Sequence, residues 1–71
     1  MWLIEGALDY ELAKNNVTLA ELARDILECS VEEAKQILAG KMFAGMEQKR
    51  LLYAAFGDEV MFGAVDWDKS K

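Results

Sequence analysis

The 71-residue chain contains no histidine and a single cysteine, which removes most of the side chains that move protons or hold metals. Without imidazole there is no His-based triad or acid–base pair, and no zinc site of the Cys/His kind. Cys29 stands alone, as a reduced, cytoplasmic compartment permits. Two other groupings resemble catalytic or metal-binding pairs. Glu32 and Glu33 are adjacent, and adjacent helical residues point about 100° apart, so they cannot serve one site as acid and base. Capping and dipole stabilisation at a helix N-terminus account for them. Asp66 and Asp68 flank Trp67 with no third ligand in view, which reads as a frayed acidic tail. No catalytic residue, metal site or cofactor is expected, and the chain does not read as an enzyme.

The remaining polar residues of interest depend on the elements that carry them. Proline, repeats and low-complexity segments are absent, so residues 1–71 read as one domain. Leu8 and Leu12, with polar Asp9, Glu11 and Lys14 between and after them, predict a first helix over 8–15, closed by Asn16 in a left-handed conformation. Val17-Thr18-Leu19-Ala20-Glu21 carries a capping box, Thr18 to Glu21, and a staple between Val17 and Leu22. The second helix continues through Ala23 and Ile26 and fades near Leu27. Ser30 and Glu33 repeat the capping pattern for a third helix with Ala34, Ile37 and Leu38 inward and Gly40 at its end. Two capping boxes 12 residues apart predict a helix-turn-helix over about 18–39. A fourth helix runs from about Met46 to Phe56, with Leu52, Ala55 and Phe56 inward. Val60 to Trp67 reads as an extended apolar tail that pairs, if with anything, with Trp2-Leu3-Ile4. The expected fold is all-α with four helices and this tail.

From about Leu8 to Gly57, roughly 50 of the 71 residues, the chain resembles the lambda-repressor-like domains of phage repressors, Cro proteins and related bacterial regulators. Asn16-Val17-Thr18 is similar to the Gly-Leu-Thr that opens that family's second helix, and Glu21-Leu22-Ala23 to its Glu-Leu-Ala core. Cys29-Ser30 is similar to its Val-Ser before the recognition helix, Ile37-Leu38-Ala39-Gly40-Lys41 to its Ile-x-Asn-Gly-Lys, and Ala55-Phe56-Gly57 to its Ala-Leu-Gly. Leu19 stands where the family has a phosphate-contacting Gln. The segment Ile26 to Ser30 lacks the usual Gly and is one residue longer than the family's turn.

The resemblance implies a buried, inert Cys29 and a third helix that presents Val31, Glu32, Glu33, Lys35 and Gln36 to base edges. Gln36 would face an adenine, with Ser30, Lys35, Lys41, Lys49 and Arg50 forming a rim toward phosphates. The same residues also read as solvated charges, with Lys35 paired to Glu32 or Glu28 on its own side. Thirteen acids against eight bases, net −5, argue against a protein that lives by non-specific phosphate contacts. That balance suits solubility, a basic protein partner, or a reader whose few cations share one face. Trp2, Phe43, Met61, Phe62 and Trp67 exceed what the helical core requires, and form either another core layer or a homodimer surface. Two functions are therefore expected as alternatives. One is a phage-type or mobile-element transcriptional regulator binding a double-stranded operator as a dimer. The other is a helix-turn-helix scaffold acting by protein contact as an antirepressor, inhibitor or nucleic-acid mimic. Met1 to Ile4 is apolar but stops at Glu5, too short for a signal segment, and no run approaches the roughly 20 apolar residues of a membrane span. The expected location is cytoplasmic.

Overall fold

The second and third helices begin where a side chain satisfies one of their first N–H groups. In the computed structural model, which describes residues 1–70, Thr18 Oγ1 accepts from Glu21 N–H while Glu21 Oε1 accepts from Thr18 N–H, both at 3.1 Å. Ser30 Oγ accepts from Glu33 N–H at 3.1 Å, but the reciprocal bond from the Glu33 side chain is not made, so the second capping box is half formed. At Gly45, which has no side chain, Gln48 Oε1 turns back to accept the Gly45 N–H. The chain is all-helical with five helical elements among the described residues: α1 (Asp9–Lys14), α2 (Leu19–Glu21) running directly into a π-helical segment (Leu22–Leu27), α3 (Val31–Leu38), α4 (Met46–Phe56) and α5 (Asp58–Ala64).

Three of these helices end in the same way. Asn16 (φ 55°) and Gly40 (φ 74°) adopt left-handed backbone after α1 and α3. The next N–H then reaches back five residues, Val17 to Leu12 and Lys41 to Gln36, each at 2.9 Å. After the π segment Glu28 (φ 53°) plays the same part, but Cys29 N–H reaches back six residues, to Ala23, at 2.9 Å. The additional residue between the second and third helices is thus wound into the helix as a π turn, and the turn itself stays short. This changes which side chain points inward. Leu27, five residues after Leu22, is buried at 2% exposure, whereas Ile26, expected in the core, is half-buried.

The C-terminal segment, expected as an extended apolar tail, is instead largely helical. Gly57, with φ 89° and ψ 158°, takes a conformation reserved in practice for glycine, which lets α4 turn directly into α5. Met61, Ala64 and Val65 then enter the core, Asp58 and Glu59 occupy the first turn of α5, and Phe62 faces solvent. Beyond α5 the chain is briefly extended. Leu3 and Val65 form an isolated antiparallel bridge, Ile4 N–H donates to Ala64 O and Asp66 N–H to Trp2 O, both at 2.9 Å. The expected pairing of the two chain ends therefore occurs, over a single bridge. Residues 66–70 are a turn rather than a frayed tail: Asp66 Oδ1 accepts from Lys69 N–H and Ser70 Oγ from Trp2 N–H.

One core joins all these parts: Leu8, Leu12, Leu22, Ala34, Ile37, Leu52 and Met61 are buried together with Met1, Leu3 and Ala44 from the N-terminal segment and the α3–α4 loop. Ala55, placed inward by sequence, is exposed, and Phe56 and Leu38 are half-buried. Gly40 is fixed by a close approach as well as by its φ. A Cβ there would stand 2.6 Å from the Leu3 carbonyl oxygen. Among the described residues no helix is long and apolar enough to cross a membrane.

Candidate functional site

The third helix carries the candidate residues, and its burial pattern decides which of them are presented. Ala34 and Ile37 are fully buried, against the π segment and α2. At 100° per residue the opposite face is Glu32, Lys35 and Gln36, with Val31 at its edge. Val31 is 48% exposed and sits beside Lys35. Gln36 Nε2 donates to Glu32 Oε1 at 3.0 Å, one helical turn back. This bond holds the Gln36 amide in place and uses one of its two N–H hydrogens, leaving the other N–H and the carbonyl oxygen for a partner. Glu33 falls on the flank, toward Cys29. Ser30 Oγ is occupied in capping, so it fixes where α3 begins.

The expected basic rim is only partly assembled. Lys35 borders a shallow groove with Glu5 and Asp9, beside Leu12, Leu19 and Leu38. Among the described residues ion pairs within 4 Å involve only the two arginines, so Lys35 pairs with neither Glu32 nor Glu28. Lys41 is exposed just past the end of α3. Arg50 is paired with Glu47 one turn earlier on α4, and its hydrogen bond holds the Glu47 carboxyl below its ordinary range. The Glu28 charge also favours the charged form of Arg50. Arg24, on the π segment, is likewise neutralised by Asp25 at 2.8 Å. Lys49 lies elsewhere: it lines a cavity with Met1, Phe43, Met46, Tyr53 and Trp67, with its Nζ 5.9 Å from the Tyr53 ring centroid.

Cys29 is half-buried, and burial first, then the Glu33 charge, push its thiol above the ordinary value. This is the environment of an unreactive thiol. No group of three or more His, Cys, Asp and Glu side chains is placed to hold a metal ion among the described residues. Sequence reasoning missed the cavity beside Lys49, because its walls come from the two terminal segments, the α3–α4 loop and α4, which are distant in sequence. It also read the C-terminal helix as an extended tail. The signal was there in Val60, Met61 and Ala64 at helical spacing behind acidic Asp58 and Glu59. In comparisons with known proteins, the chain matches no family model, no curated protein and no solved structure.

Proposed function

We propose that this chain is a small helix-turn-helix regulator of phage or mobile-element type that binds duplex DNA through the outer face of α3, as a dimer. The observation that carries the reading is local. Two helices capped by Thr18 and Ser30, joined through left-handed Glu28, bury Ala34 and Ile37 and leave Val31, Glu32, Lys35 and Gln36 as one projecting face. A face of that kind on a rigid helix suits the major groove. The free N–H and carbonyl of Gln36 match the N7 acceptor and N6 donor of adenine, and the hydrogen bond to Glu32 pre-orients them. Lys35 in the body of the helix and Lys41 just past its C-terminal end supply phosphate contacts, and the methyls of Val31 suit a thymine methyl. With so few cations, binding depends weakly on salt compared with a basic DNA-binding domain.

A second reading is favoured by Glu32 and Glu33 together with the neutralised arginines. In it the same face meets a basic protein partner, and DNA is not bound. Titration of labelled genomic fragments at about 50 mM salt, where non-specific contacts are strong, separates the two. Retention of duplex supports the regulator, and Glu32→Gln tightens it by removing a charge that opposes phosphate. Absence of any retention leaves the protein-contact reading, in which Glu32→Gln weakens the complex.

A further inference from the structure

The cavity beside Lys49 is separate from the α3 face and has its own chemistry. Its volume is about 330 Å³, within the range of small-molecule sites, about 300–1,000 Å³. The walls are Phe43 from the α3–α4 loop, Met46, Lys49 and Tyr53 from α4, and Met1 and Trp67 from the two terminal segments. Phe43 is 53% exposed, Met46 87% and Trp67 49%, so a substantial apolar area is left to water.

The polar part of the lining is positive. Among the described residues no carboxylate lines the cavity, and Lys49 makes no ion pair within 4 Å. Met1 lines the same cavity, and its ammonium donates to Ala44 O at 2.9 Å in a buried hydrogen bond. Burial first, then the Lys49 charge, hold its pKa below the ordinary value. Lys49, a cation with no counter-charge among the described residues, stands over aromatic walls and defines the complementary ligand. We propose that this cavity binds a small organic carboxylate, with an aromatic or aliphatic body seated between Phe43, Met46, Tyr53 and Trp67 and its anionic head on Lys49 Nζ. Such a ligand ties the loop that follows α3 to both chain ends. The inference does not rest on DNA binding.

The test uses the full chain, labelled with nitrogen-15, and three probes that share one body: 3-phenylpropanoate, its neutral amide and 3-phenylpropylammonium. Each is titrated to about 10 mM, past the millimolar affinity expected of a ligand this small. Backbone shifts are expected at Ala44, Lys49, Tyr53 and Trp67, with the carboxylate bound about fivefold tighter than the amide, the upper end for one part-exposed ion pair. The ammonium should bind weakest. Lys49→Met keeps the apolar stem and should abolish the preference for carboxylate over amide. Met46→Glu, at an exposed position in the first turn of α4, should weaken the carboxylate more than the amide, since it adds a like charge as well as removing an apolar wall. Unchanged spectra outside the cavity show that both variants are folded. Equal binding of the three probes, a carboxylate preference that survives Lys49→Met, or no shift at these residues overturns the proposal. So do cavity shifts that grow on concentrating the protein without ligand, since a second copy would then be the occupant.

Discussion

Deleting Asp25 removes one residue from a helix, a change that ordinarily turns everything after it by about 100° and scrambles the buried face. In this chain the opposite is expected. The π segment Leu22–Leu27 holds one residue more than an α-helix would need to bring Leu27 back over Leu22. Without Asp25 the spacing of those two leucines becomes four, and the Cys29-to-Ala23 bond spans five residues, as at the ends of α1 and α3. What is lost is the Arg24–Asp25 pair, whose side chains are 72% and 55% exposed and which therefore contributes little. The shortened protein should stay within about 1 kcal/mol of the parent, a shift of no more than roughly 8 °C in Tm. If instead Leu27, now 2% exposed, were swung to solvent, the cost would resemble a core Leu truncation. That is about 2–5 kcal/mol, set against a total near 4–11 kcal/mol at roughly 0.05–0.15 per residue. Thermal and urea unfolding of the deletion, beside a deletion of Lys35 from the regular α3, is the assay. Lys35 deletion should unfold the domain by rotating the fully buried Ile37 outward. Equal damage from both deletions would refute the π-turn account.

Gly40→Ala combines a left-handed φ with a Cβ 2.6 Å from the Leu3 carbonyl, and should cost more than about 1 kcal/mol in urea unfolding. Cys29 has its pKa raised by burial and then by Glu33, so at any given pH less of it is thiolate than in a free cysteine. Alkylation by iodoacetamide should accordingly be slower than for the free amino acid, and Glu33→Gln should recover part of the difference; a rate equal to free cysteine contradicts this. Phe62, 69% exposed on α5, is a prominent apolar side chain outside both the α3 face and the cavity. If it contributes to a dimer, Phe62→Ser should leave the melting temperature nearly unchanged and lower the sedimenting mass at high micromolar concentration, whereas monomers in both proteins would exclude that surface.

The helix starts were legible because capping is a local reaction between neighbours, as Thr18 with Glu21 and Ser30 with the Glu33 N–H demonstrate. The inward faces of α1 and α3 followed from spacing alone. The π turn was not legible: the sequence carries one surplus residue between Ala23 and Ser30, and whether it lengthens the turn or the helix depends on Leu27 finding a place in the core. Reading α5 as extended came from weighing the β-branched and aromatic residues Val60, Phe62 and Val65 above the acidic first turn and the glycine that precedes it. Of the candidate site, the α3 face was visible in the pattern of Ala34 and Ile37. The pairing state of the cations was not, since Arg50 with Glu47 and Lys49 beside Tyr53 depend on rotamers and on packing from distant segments.

The central claim is that the outer face of α3 meets DNA, and the salt dependence of duplex binding addresses it most directly. Lys35→Ala and Lys14→Ala remove the same charge, one from the α3 face and the other from the exposed end of α1. Anisotropy titrations across a range of salt give the number of phosphate contacts from the slope of log K against log salt. Lys35→Ala should lower that slope by about one, while Lys14→Ala leaves it unchanged. Equal slopes for the parent and both variants, or a larger loss from Lys14→Ala, would contradict the assignment of this face to DNA.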